Sequence, residues 1–149
     1  MEITITEKLN MAMIKGGKAY DEWNKLNDIP DYLSVIFYEL LMRKKVTQKQ
    51  LVELTDLPKQ SINKGIKILQ NKDYLVMSID EHDKRKRFCE LTPIGQAYAK
   101  EKMQSLFELE EKTAQKMGMK KMKQFLALNE EWNSIFWNLL KEKEGDERG

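Results

Sequence analysis

The sequence predicts a mainly α-helical fold with one small β-hairpin, and three observations carry that expectation. Apolar residues recur at spacings of three and four along most of the 149 residues, the pattern of helices buried on one face. Residues 74–79, rich in Tyr, Val and Ile, depart from that rhythm and suit a strand. The charged segment IDEHDKRK has the polarity of a hairpin tip, and residues 87–91 can run back as the partner strand.

Composition bounds the rest. A chain of this length, 41% hydrophobic and 34% charged, can bury one real core. No run approaches a membrane span, and the first residues lack the apolar block of a signal peptide, so a cytoplasmic location is expected. The single cysteine, Cys89, excludes an intramolecular disulfide and a cysteine-cluster metal site. The single histidine, His82, leaves little for zinc or Ser-His chemistry. With no glycine-rich phosphate loop and no nucleophile–base pair either, the chain reads as a non-enzyme needing no cofactor. Its charge is unevenly spread: twelve Lys or Arg against six Asp or Glu between Arg43 and Arg87, fourteen against eighteen elsewhere. A basic middle between acidic ends points to a localised anion-binding face.

The elements follow in order. Ile5, Leu9, Ala12 or Met13, Ala19 or Tyr20, Trp23 and Leu26 space out a first helix over residues 5–27. Gly16-Gly17 interrupts it at about 1 kcal/mol each relative to alanine, marking a kink or the close approach of another helix. Leu33, Ile36, Phe37, Leu40 and Leu41 define a second helix over residues 31–43. Thr47 followed by Gln50 forms a capping box, so a third helix starts there and breaks at Asp56-Leu57-Pro58. Around Pro58 a fourth begins, with Ile62, Ile66 and Leu69 as its buried stripe and a polar, basic outer face. Two short helices joined by a tight turn make a helix-turn-helix, and the hairpin after Asp73 makes it winged. Two long helices follow, residues 94–117 and 119–141, broken near Gly118, with a charged tail at 142–149 that is expected to fray.

This order of elements resembles the MarR family of bacterial winged-helix transcriptional regulators. The family's wing pattern, D-x-R, an apolar residue four positions after that Arg, then L-T-x-x-G, is similar to Asp83, Arg85, Cys89, Leu91, Thr92 and Gly95. TQKQLVELTDLPKQSINKGIKIL is similar to its helix-turn-helix, and the likeness runs over nearly the whole chain. Asp56 and Asp73 stand where the family commonly has glycine, and aspartate tolerates left-handed backbone. Met77 stands where it tends to place an Arg facing the wing Asp, so Asp83 is expected to pair with Arg85 or only to turn the hairpin. Pro58 replaces the usual capping Ser or Thr. The resemblance implies one domain over residues 1–149: a DNA-binding lobe at 28–93, and dimerisation helices at 1–27 and 94–141. It implies a homodimer on a pseudo-palindromic operator, acting as a repressor, with a small aromatic or anionic effector as a further partner.

Within that frame, Lys84, Arg85, Lys86 and Arg87 lie at the wing tip, with Arg85 as the side chain for an A·T-rich minor groove. Gln60 and Asn63 can form paired hydrogen bonds to adenine, and Lys59 or Lys64 can reach guanine or phosphate. Thr47, Ser61 and Lys67 suit positioning contacts. Met13, Trp23, Tyr38, Met103 and Phe107 are candidates for an effector pocket, although such residues more often simply fill a core. Cys89, at an apolar strand position, is expected to be inert. The rival to a DNA-binding regulator is a winged-helix interaction module docking an acidic protein partner.

Overall fold

A computed structural model describes residues 1–148. Helix α1 (Ile5–Leu26) starts where Thr4 Oγ1 accepts a hydrogen bond from the Glu7 N–H at 3.2 Å. Gly16 and Gly17 sit inside it without a break, and nothing lies within 4 Å of where their Cβ atoms would stand. Neither a helix break nor a close neighbour within the described residues therefore accounts for the pair. Helix α2 (Asp31–Arg43) supplies the core residues Ile36, Phe37 and Leu40. It ends on Lys44 at φ 65°, ψ −49°, which turns the chain into β1 (Lys45–Thr47). That strand was not expected from the sequence. It is three residues long, and its one buried residue, Val46, pairs with Cys89.

The capping box forms as the sequence predicts. Thr47 Oγ1 accepts from the Gln50 N–H at 3.0 Å, Gln50 Oε1 accepts from the Thr47 N–H at 2.9 Å, and α3 (Gln48–Glu53) begins. Helix α4 (Lys59–Asn71) follows Pro58 and buries Ile62, Ile66 and Leu69. Gly65 lets it lie hard against α2, because a Cβ there would stand 2.6 Å from Ile36 Cδ1. Asp73 closes α4 in the left-handed region at φ 59°, with the Tyr74 N–H donating to the Leu69 carbonyl at 2.9 Å. Asp56 does not share that geometry; the other non-glycine residues at positive φ are Asp28 and Lys44.

Strands β2 (Leu75–Ile79) and β3 (Arg87–Leu91) form the hairpin, and β1 joins its far edge, giving an antiparallel sheet in the order β1-β3-β2. Helix α5 (Pro93–Met117) is tied to this assembly at its start. Thr92 Oγ1 donates to the Asp73 carbonyl at 2.6 Å and accepts from the Gly95 N–H at 3.0 Å. Any Cβ on Gly95 would run into the Tyr74 carbonyl. This geometry explains why a Thr and a Gly three residues apart follow the hairpin. Tyr98 completes the joint, stacked on Tyr74 at 4.6 Å and tilted on Phe37 at 5.8 Å.

Gly118, at φ 87°, separates α5 from α6 (Met119–Arg148), which runs past Lys141 where the sequence suggests an end. The chain divides into two compact units, Met1–Leu106 and the residues from Phe107 on. The core described above belongs to the first. In the second, no residue of α6 is buried, and Trp132 and Phe136 lie 6.2 Å apart along it.

Candidate nucleic-acid interface

The first turn of α4, the start of α3 and the returning arm of the wing converge on one groove of about 800 Å³. Thr47, Gln48, Lys49, Val52, Glu53, Lys59, Asn63, Arg85, Lys86 and Arg87 line it. Five cationic side chains against one carboxylate make it a surface for anions. The capping box sets the start of α3, and Pro58 sets the start of α4, so both helices present their N-terminal turns beside the groove.

The wing tip is organised by two aspartates. Asp80 Oδ1 accepts from the backbone N–H of His82 at 2.7 Å and of Asp83 at 3.2 Å. Those two bonds, aided by Lys86 and Lys45, hold the Asp80 carboxyl below its ordinary value of 3.8. Asp83 Oδ1 accepts from the Arg85 backbone N–H at 3.1 Å and from its Nε at 3.3 Å. Asp83 therefore turns the hairpin and pairs with Arg85 at once. Arg85 remains 93% exposed along its side chain.

Of the residues expected at a DNA surface, Thr47, Lys59, Asn63, Arg85, Lys86 and Arg87 come together in the groove. Gln60, Ser61, Lys64, Lys67 and Lys84 are not part of its lining. Lys67 and Lys84 are exposed, Gln60 is exposed one residue beyond Lys59, and Ser61 is half-buried. Lys64 instead lies over the Tyr32 ring of α2, 5.2 Å from its centroid. Asn63 is not free to offer both ends of its amide, since its Oδ1 accepts from Gln48 Nε2 at 2.7 Å. Gln48, Lys49, Val52 and Glu53 are the lining members that sequence reading missed, the first two being the polar and cationic ones. The signal for Gln48 and Lys49 was their place in the first turn after the Thr47 cap.

Cys89 is fully buried at the centre of the sheet, its Sγ 3.3 Å from Met77 Sδ. Burial pushes its thiol up to about 11, which keeps it protonated and inert. Met77 thus occupies with sulfur the place where an Arg was absent from the wing pattern.

A second, open cleft of about 1100 Å³ lies between α1, α2 and the turn after α3. Met13 and Tyr38 line it, as do Leu54, Leu57 and Leu106. Trp23 and Met103, expected there, do not. Trp23 is 5% exposed and donates from Nε1 to Ser105 Oγ at 3.0 Å, and Met103 is wholly buried. Both are core residues, for the ordinary reason that large apolar side chains bury where the helices meet. Phe107 begins the second unit and is not in the lining. Glu53 lines both this cleft and the basic groove.

Comparison with known proteins agrees with this geometry. Residues 35–86, the helix-turn-helix and most of the wing, match the family model described as MarR family. A MarR-family regulator from Neisseria meningitidis is 25% identical, with a TM-score of 0.83 over 95% of this chain and 99% of that one. NadR, solved in complex with 4-hydroxyphenylacetate, is 18% identical, with a TM-score of 0.71 over 88% and 93%. BpsR of Bordetella bronchiseptica, whose DNA binding is regulated by 6-hydroxynicotinic acid, is 15% identical, with a TM-score of 0.65 over 89% and 98%. Among curated proteins none matches the chain. The family match falls on the elements that build the groove, and the likeness in fold spans nearly the whole chain: residues 35–86 are similar to the MarR family, and the chain has the winged-helix fold of its regulators.

Proposed function

We propose that this protein regulates transcription as a homodimer bound to a pseudo-palindromic operator in double-stranded DNA, that it represses, and that a small molecule in the second cleft modulates it. The observation that carries the reading is the basic groove, where Lys59 and Asn63 of α4 stand beside Arg85, Lys86 and Arg87 of the wing. A recognition helix in the major groove places its first turns at base edges, and a wing beside it reaches backbone and minor groove. Gln48 and Asn63, joined by their hydrogen bond, act as one reading unit. Phosphates are met by the lysines and arginines around them.

The dimer reading rests on the apolar surface left open on the terminal helices. Ile5, Met11 and Ile14 of α1, and Phe125, Ile135, Phe136, Trp137 and Leu139 of α6, are all exposed. A second copy is the natural cover, and two-fold symmetry puts half-sites roughly one DNA turn apart, about 10 bp. NadR and BpsR, each described with a small ring-bearing acid, support an effector as part of the reading.

Fluorescence anisotropy on the upstream intergenic duplex and on a scrambled duplex of equal composition, across a salt series, tests this. Tight preference for the native duplex, weakening steeply with salt, is the expected outcome. An absence of salt-dependent binding to any duplex would leave the basic face to an acidic protein partner and overturn the reading.

A further inference from the structure

The second cleft carries the wrong charge for an acidic ligand. Asp21, Asp31, Glu39, Glu53 and Asp56 line it, against the single cation Lys18. Arg43 neutralises only Glu39, at 2.9 Å; the other four carboxylates have no ion pair among the described residues. An anionic effector entering here would meet a net negative rim, which disfavours encounter as well as binding. Between the carboxylates the wall is apolar and aromatic, with Ile14 and Tyr38 among its members. One neutral polar group is set deep in it. Ser34 is 5% exposed and lines the cleft.

The carboxylates of the lining do not converge. Among the described residues no three His, Cys, Asp or Glu side chains come close enough to hold a metal ion. A bare cation would have no cage, whereas an organic one can spread its contacts. We infer that this cleft selects a small organic cation with a flat or bulky apolar body, the charge facing the acidic rim and the body against the Ile14 and Tyr38 wall. The inference rests on the effector reading given above, and it assigns that site a ligand class opposite in charge to 4-hydroxyphenylacetate.

Calorimetric titration of the full chain with tetraphenylphosphonium, and separately with 4-hydroxyphenylacetate, tests it. The phosphonium should bind at least about tenfold more tightly and weaken along a rising KCl series, as charge screening requires. The Asp21→Asn, Glu53→Gln, Asp56→Asn variant changes only exposed side chains, and it should lose about tenfold in phosphonium affinity while its thermal melt is unchanged. Tighter binding of the anion, or phosphonium binding indifferent to both salt and the variant, overturns the inference. If neither molecule binds, the effector reading fails along with it. The duplex titration judges the DNA reading separately.

Discussion

Arg85 is fixed at its base and open at its end. Both its backbone N–H and its Nε donate to Asp83, while the side chain stays 93% exposed. An exposed ion pair of this kind adds little to stability, so its effect is to aim the guanidinium. Arg85→Ala should therefore leave the thermal melt unchanged and cost roughly 1–3 kcal/mol of operator affinity, about fivefold to a hundredfold, in the anisotropy titration. Asp80 sets the turn from the other side. Its folded carboxyl sits below the ordinary 3.8. Its contribution is thus present above that value and lost as pH falls through the lower, folded one. An NMR titration of the Asp80 carboxyl should place its midpoint below 3.8, with the His82 and Asp83 amide shifts following the same curve. The Asp83–Arg85 pair was legible because its members are two residues apart. The Gln48–Asn63 bond was not: fifteen residues separate them, and only the packing of α3 on α4 brings the amides together.

Among the elements, those defined by local chemistry were legible and those defined by distant pairing were not. The start of α3 is written in Thr47 and Gln50, and the end of α4 in Asp73. Strand β1 has no such mark, because three residues become a strand only by lying beside Cys89 and its neighbours. The joint at the start of α5 yields a paired prediction for urea denaturation. Gly95→Ala drives a methyl into the Tyr74 carbonyl and should cost about 1–3 kcal/mol or more. Asp73→Gly removes the left-handed penalty of a side chain at φ 59° and should add about 1 kcal/mol. A reversal of either sign would mean that the backbone relaxes around the joint.

For the whole molecule, sedimentation should show a homodimer at micromolar concentration, and Phe136→Glu with Trp137→Glu should shift it to monomer. Both residues are exposed on α6, so the change removes apolar cover without disturbing a buried core. The candidate effector residues show where sequence reading stops. Met13 and Tyr38 line the cleft, while Trp23 and Met103 of similar character fill the core. Nothing in residue type separates the two pairs; the crossing of α1, α2 and α5 does. Finally, α3 is only six residues long, and Glu53 at its end faces both the basic groove and the acidic cleft. That short helix is a party wall between the proposed operator site and the proposed ligand site. Whatever factor the small ligand imposes on operator affinity, the operator must impose on the ligand. Titrating the ligand with and without duplex should return the same number from either side.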